Sequence, residues 1–237
     1  MDIDKRIEYT VKHTKILRAP KQSLYTFGTT NIYYYLVTEP VYSELVKDAA
    51  ETVIREGRVI AEKPKIVTPY YLSRLDGFSS EARRYFAALA EEYGASIHGL
   101  FYTYKNEPKE LNIVSDNLLS VVDRLNVEID KRRDPLAAII KGEDALWDVS
   151  LMKFIYEMTR SSLPDNLRQL GKQGLLNIDA DGTPLDARLT IDELFEKVTR
   201  GERKPGELKD ELDRWGLFEE YEDRFLNIFR KGSKWGE

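Results

Sequence analysis

The run Ile-Tyr-Tyr-Tyr-Leu-Val at positions 32–37 constrains the fold more than any other part of this sequence. Its aromatic and β-branched residues favour an extended strand. Because successive side chains of a strand point to opposite sides of its sheet, this run is apolar on both faces. A strand of that kind is typical of sheets that are covered on each side. We therefore predict a central strand here, with other elements packed on both faces.

Alternation of apolar and polar residues, runs of β-forming residues and turn residues predict further strands in the first half of the chain. Ile7, Tyr9 and Val11 alternate with polar neighbours in this way. Residues 52–62 are predicted to be a hairpin that turns at Glu56-Gly57, and the Asn-Glu-Pro sequence at 106–108 is predicted to be a turn. The remaining predicted strands cover 23–28, 65–67, 96–105 and 111–114.

Apolar stripes at helical spacing and capping residues predict the helices. Ser115 or Asp116 is predicted to cap a long helix that ends in a basic cluster at 131–133, and Thr190 is predicted to cap another. The apolar stripe of the long helix is formed by Leu118, Val122, Leu125 and Ile129. The other predicted helices cover 41–51, 79–94, 148–161, 163–173, 191–200 and 207–230, the last with a break at Gly216.

These elements predict an α+β fold, with a mixed or antiparallel sheet and helices in the N-terminal region and an all-helical C-terminal region. Strand signals fade beyond Asp134-Pro135. We therefore place a boundary between a strand-rich domain at 1–142 and a helical region at 143–237, which can pack with the first as one unit.

Metal and cofactor chemistry has little support in the sequence. The chain has no cysteine and only two histidines, His13 and His98, which excludes disulfides, thiolate nucleophiles and cysteine-ligated metals. The sequence from Asn177 to Gly182 matches the start of a calcium-binding EF-hand loop, but the bidentate glutamate that should follow is Arg188. We predict no metal site and no cofactor.

Location and charge narrow the choice of partner. The N-terminus has no apolar run of signal-peptide length, and no stretch approaches the roughly 20 apolar residues that span a bilayer. We expect a cytoplasmic protein with no membrane partner. Residues 1–75 carry 12 basic and 9 acidic side chains, whereas the last 61 residues carry 11 and 16. Only the first segment therefore leans towards the basic surface that nucleic acid requires.

Tyrosine is the unusual component of the composition, since twelve of the fourteen tyrosines lie within the first 104 residues. Two short segments combine tyrosines with a cation. The first contains Tyr70, Tyr71 and Arg74, and the second contains Tyr102, Tyr104 and Lys105. Aromatic rings beside cations can stack on bases or hold an anionic ligand. These six residues are our predicted binding residues, although tyrosine is also common as an ordinary strand residue.

Three classes of function are compatible with these patterns, and whether the protein is an enzyme is left open. No phosphate-binding glycine motif and no nucleophile motif is present. The leading hypothesis is a non-catalytic binding or assembly protein, which associates with a protein partner or with itself through the tyrosine-rich sheet and an aromatic stripe on the last helices. The second is a protein that binds, or acts on, nucleic acid or nucleotides. The third is a hydrolase that uses Asp or Glu, which a buried carboxylate with a raised pKa in a cleft would indicate.

Overall fold

A computed structural model describes residues 3–40, 51–68, 71, 74, 99–180 and 182–232. These residues form a five-stranded mixed sheet, a two-stranded sheet and six helices, which confirms the predicted α+β class. The strands are β1 (Lys15–Arg18), β2 (Thr30–Thr38), β3 (Thr52–Ala61), β4 (Lys65–Val67), β5 (Gly99–Phe101), β6 (Tyr104–Val114) and β7 (Ala137–Lys141). The helices are α1 (Ile3–His13), α2 (Leu118–Arg132), α3 (Trp147–Lys172), α4 (Leu185–Thr199), α5 (Pro205–Trp215) and α6 (Phe218–Gly232), with a short 3-10 turn at Asp144–Leu146.

The chain divides into two compact units, neither of which is continuous in sequence. The first comprises Met1–Pro64 and Tyr102–Leu167, and the second comprises Lys65–Phe101 and Arg168–Glu237. The boundary between residues 142 and 143 stays a prediction.

The first unit contains the five-stranded sheet, whose strand order is β1-β7-β2-β3-β6. The predicted strand at 32–37 is confirmed as the centre of β2, the middle strand. β2 is parallel to β7 and antiparallel to β3. Alternate β2 side chains belong to two cores: Tyr34 packs with Phe154 of α3 on one face, and Tyr35 packs in the core of α2 on the other.

The second unit contains β4, β5 and helices α4 to α6. Its core combines aliphatic side chains with the aromatic residues Tyr71, Phe195, Trp215 and Phe225. The predicted break at Gly216 is confirmed, because Gly216 ends α5 in the left-handed conformation with φ of 69°. The predicted strand 65–67 is confirmed as β4.

Several strand predictions are wrong. Ile7, Tyr9 and Val11 lie in helix α1, where all three are exposed, so their alternation does not reflect burial. Residues 23–28 form a loop that pairs with none of the described strands. The predicted hairpin at 52–62 is the single strand β3, in which a register shift against β6 replaces the turn at Glu56-Gly57. The predicted turn at 106–108 lies inside β6, which tolerates Pro108 because it is an edge strand.

The structure also corrects the predictions beyond residue 114. Strand β7 was not predicted, because a short apolar run has no period that separates a buried strand from a buried helix. Asn117, rather than Ser115 or Asp116, caps α2. The two helices predicted at 148–161 and 163–173 are one helix, α3, with Pro164 inside it. Helix α4 begins at Leu185, so Thr190 lies within it and does not cap it. Three further predictions fall outside the described residues: the helices at 41–51 and 79–94 and the start of the strand at 96–105. Residue 51 is described, and it lies in neither a helix nor a strand.

Candidate binding edge of the sheet

Among the residues that the structure describes, strand β6 forms one edge of the five-stranded sheet and pairs with β3 alone. Its eleven residues, Tyr104–Val114, are mostly exposed. An edge strand of this length presents unpaired N–H and C=O groups to any extended chain that approaches it. The two halves of β6 differ in how far they are protected against such pairing.

The first half of β6 is protected. Lys105 and Arg58 both form ion pairs with Glu107, with N–O distances of 2.8 and 2.5 Å. Their hydrogen bonds lower the pKa of the Glu107 carboxyl to about 2. Pro108 lacks the N–H that a neighbouring strand needs, and the register shift that follows it leaves Lys109 as an extra residue. Charges, proline and a bulge are the usual means of keeping an edge strand unpaired.

The second half, Glu110–Val114, has fewer of these features, and Glu110 is its single charged residue. It contains no proline and no bulge, and its register against β3 is regular, with Leu111 opposite Arg55 and Ile113 opposite Val53. Leu111 and Ile113 point to the same face of the sheet, and their side chains are 56% and 57% exposed. We call the segment Glu110–Val114 the open edge.

A polar cluster fixes the surroundings of the open edge on the Leu111 face. Arg55 pairs with Asp144 at 2.8 Å, and Thr38 donates a hydrogen bond to the same carboxylate at 2.8 Å. The Arg55 guanidinium also lies 5.6 Å from the centre of the Trp147 ring. These contacts hold Arg55 in place, so the side chain opposite Leu111 is rigid.

The other face of the sheet brings two carboxylates together. Glu56 of β3 lies directly opposite Glu110 of β6. The pKa of Glu56 is raised, mainly by burial and then by the charge of Glu110, while Lys109 acts in the opposite direction. Like charges directly opposite each other destabilise a sheet. The hydrolase hypothesis called for a buried carboxylate with a raised pKa in a cleft; Glu56 has the raised pKa but is only half-buried, and Glu110 is exposed, so this pair meets it only in part.

The predicted binding residues fall into different units. Tyr71 and Arg74 belong to the second unit and Tyr102, Tyr104 and Lys105 to the first, while Tyr70 lies outside the described residues. Tyr71 is buried and donates a hydrogen bond to Glu211 at 3.1 Å. Arg74 is exposed and donates to the Asp213 carbonyl at 2.8 Å.

Tyr102 and Tyr104 are half-buried against the core of the first unit, with parallel rings whose centres are 6.3 Å apart. The Tyr104 hydroxyl is bonded to Thr159, and the Tyr102 hydroxyl lies 3.1 Å from the Asn166 amide. Lys105 is exposed and takes part in the ion pair with Glu107. The role of these residues in binding stays a prediction.

Two exposed aromatic residues near Tyr102 were missed by the sequence reasoning. Tyr25 and Phe27 are 42% and 46% exposed on the loop before β2. Thr26, between them, is buried and contacts the Asn166 amide at 3.3 Å, the same amide that contacts Tyr102. The signal in the sequence was the run of β-forming residues at 23–28, which predicts a strand.

The aromatic stripe of the last helices packs mainly within the second unit. Leu208, Leu212, Trp215 and Phe225 are buried in its core, and Phe229 is exposed. The stripe is thus largely used in folding this unit.

In the part of the chain that the structure describes, no three His, Asp or Glu side chains are arranged to hold a metal ion. Asp179 of the calcium-like sequence accepts a hydrogen bond from the Thr183 amide and pairs with Arg188 at 2.5 Å. His13 is exposed and stacks on Tyr9, and His98 is not among the described residues.

Within the described ranges no helix is both long and apolar enough to cross a membrane. Comparison with known proteins gives no relative: no protein-family model matches the chain, and neither a curated protein nor a solved structure does. Any functional conclusion therefore depends on the geometry of this chain.

Proposed function

We propose that this chain is a non-catalytic binding or assembly protein, in the cytoplasm, that takes up an extended segment of a protein partner at the open edge. The partner would add a strand to β6, a recognition mode in which main-chain hydrogen bonds give affinity and side-chain contacts give specificity. The observation that carries the proposal is the contrast between the two halves of β6.

The contrast matters because an unpaired edge strand can pair with other chains and cause aggregation. Proline, a bulge and charges occur together at 105–109, so this part of β6 is protected against pairing with another strand. Over the next five residues the proline and the bulge are absent, Glu110 is the single charged residue, and two aliphatic side chains are more than half exposed. An unprotected edge with exposed aliphatic residues is what a strand-adding partner needs.

Other parts of the leading hypothesis have weaker support. The aromatic stripe of α5 and α6 is mostly buried in its own unit. The hydroxyls of Tyr71, Tyr102 and Tyr104 each have a partner within their own unit. The open edge therefore supports association better than either surface does.

A library of short random peptides selected on the full chain tests the proposal. We expect the selected peptides to be extended sequences with alternating aliphatic residues, because Leu111 and Ile113 are available on one face. Their affinity, measured by fluorescence anisotropy, should fall at least about tenfold for the double variant Leu111→Lys/Ile113→Lys, since charges on an edge strand oppose pairing.

A matched control is Leu119→Lys on α2, where the leucine is 74% exposed and lies outside β6. This variant should bind the selected peptides like the unmodified chain. Peptides that bind the double variant and the unmodified chain equally well would refute strand addition at the open edge.

A second function, binding of nucleic acid or nucleotides, has one specific observation in its favour. Exposed Tyr25 and Phe27 lie on the loop whose Thr26 contacts the Asn166 amide that also contacts Tyr102, so two exposed rings lie on a loop close to one of the predicted binding residues. Rings of this kind stack on bases with little sequence preference.

Salt-dependent binding of single-stranded oligonucleotides tests this second function. We expect Tyr25→Ala and Phe27→Ala each to weaken binding by about 1–3 kcal/mol, the usual contribution of one stacked base. Tyr156→Ala, which removes a 65% exposed tyrosine from α3, is the control. If the control weakens binding as much as the two loop variants do, the loop has no special role.

A further inference from the structure

We infer that the segment added at the open edge is the open edge of a second copy of this chain, paired antiparallel across a two-fold axis at Asn112. This inference rests on the proposed function and names its partner. The registers in which β6 can pair with a second β6 support this choice of partner.

Symmetry limits the possible registers. Two identical antiparallel strands are related by a two-fold axis perpendicular to the sheet, and residues opposite each other point to the same face. The axis must therefore pass midway between one residue and the same residue of the second copy, so that the two face each other. Within the open edge the candidates are Leu111, Asn112 and Ile113.

The Asn112 register is the self-complementary one. It sets Leu111 of each copy opposite Ile113 of the other, on the face where both are exposed. Glu110 then faces Val114 and Lys109 faces Ser115 of the second copy, so no like charges are opposed. Cross-strand aliphatic pairs are the unit of stabilisation in such a ladder.

The neighbouring registers are worse for identifiable reasons. An axis at Leu111 sets Ile113 opposite Lys109, the extra residue of the bulge, and brings Pro108 opposite Val114. An axis at Ile113 sets Glu110 opposite Asp116, which opposes two carboxylates. An axis at Lys109, which would use the whole strand, sets two lysines face to face. Like charges in these positions destabilise pairing.

Sedimentation equilibrium over a range of concentrations tests whether the full chain forms dimers. We expect a reversible dimer whose dissociation constant rises at least about tenfold in the Leu111→Lys/Ile113→Lys variant and is unchanged in Leu119→Lys. Leu111 and Ile113 are more than half exposed, so the double variant should fold, which circular dichroism can verify. An unchanged dissociation constant in the double variant would overturn the inference.

Disulfide trapping tests the register, because the chain has no cysteine of its own. Asn112→Cys should give a covalent dimer on mild oxidation, since two residues opposite each other across strands have Cβ atoms within about 4.5–5.5 Å. Leu111→Cys and Ile113→Cys should each cross-link poorly alone and well when mixed. Lys105→Cys is the control, because its side chain is 71% exposed but would face no residue of the open edge.

Two results separate this inference from the proposed function. A strictly monomeric chain whose selected peptides still require Leu111 and Ile113 would overturn the second copy as partner and leave strand addition in place. A monomeric chain that selects no such peptide would overturn both. Equal cross-linking of Asn112→Cys and Lys105→Cys would refute the register.

Discussion

Tyr34 and Gly57 face each other across β2 and β3, and the tyrosine ring occupies the space in which a side chain at position 57 would lie. A Cβ atom added to Gly57 would come within 2.5 Å of Cζ of Tyr34. The ring is itself fixed, because it is buried and its hydroxyl donates to Asn106 of β6 at 3.1 Å. One aromatic side chain thus spans three strands and dictates glycine at the centre of β3.

Gly57→Ala should therefore destabilise the protein by about 1–3 kcal/mol, the usual cost of overpacking a core. Urea unfolding followed by circular dichroism measures this change. Gly206→Ala is the matched control: no atom lies within 4 Å of the added Cβ, and the site is in the first turn of α5. Equal stability of the two variants would contradict the packing described for Tyr34.

Ser162→Ala should destabilise the first unit by about 1–3 kcal/mol, the cost of leaving a buried donor unsatisfied. The Ser162 hydroxyl accepts a hydrogen bond from the buried Leu24 amide at 2.9 Å, and Ser162 itself is fully buried. Amide hydrogen exchange at Leu24 should also accelerate. Ser161→Ala, one residue earlier and exposed, should change neither measurement much.

Asn117→Ala should cost about 1 kcal/mol, because the Asn117 side chain caps α2 by accepting a hydrogen bond from the Ser120 amide at 3.0 Å. Chemical denaturation gives the difference. Ser115→Ala removes the residue that the sequence pointed to and should have little effect. A larger loss at Ser115 than at Asn117 would show that the helix begins earlier.

Glu56→Gln should stabilise the protein at neutral pH. The raised pKa means that the folded state holds the Glu56 proton more tightly than the unfolded state does. The stability linked to this proton is fully present below the ordinary pKa and is lost as the pH rises through the folded value. Glutamine carries no charge at either pH, so the variant does not lose this stability as the pH rises. Unfolding at pH 4 and pH 7, with exposed Glu62→Gln as control, tests the expectation; a gain that is equal at both pH values would argue against it.

Tyr71 should ionise only near pH 12. Burial, followed by the nearby Glu211 carboxylate, raises its pKa to about 12. The stability that this proton provides is present below the pKa of an unfolded tyrosine, 10.0, and is lost as the pH rises towards 12. The difference between the ultraviolet titrations of the unmodified chain and Tyr71→Phe isolates this residue.

Removing the charge of Glu211 supplies the check. Glu211→Gln should lower the pH at which Tyr71 ionises, because the negative charge is one of the causes of the shift. Titration of Tyr71 near pH 10 in the unmodified chain would mean that its hydroxyl is not held against Glu211.

Patterns that depend on one element were predictable from the sequence, and those that depend on its neighbours were not. The two-sided apolar run of β2 and the stripe of α2 were correct, because burial on both faces or on one helical face leaves a periodic trace. The alternation at Ile7, Tyr9 and Val11 failed, because three exposed side chains obey no periodicity of burial.

The candidate site shows the same limit. Leu111 and Ile113 were placed on a strand, but only the strand order reveals that β6 is an edge and that these side chains lie uncovered. Pro108 was the available sign of an edge strand, and we had assigned it to a turn. The Glu56–Glu110 pair likewise depends on a register that no local pattern specifies.

Strand β2 has its parallel partner β7 about a hundred positions further along the chain, with Tyr35 beside Ile139. During synthesis, the ribosome therefore releases the two-sided apolar run at 32–37 well before the strand that covers one of its edges exists. Contacts this far apart in sequence slow folding, and waiting apolar strands invite aggregation. The apolar run at 32–37 should accordingly be exposed to aggregation in the nascent chain until residue 141 has emerged.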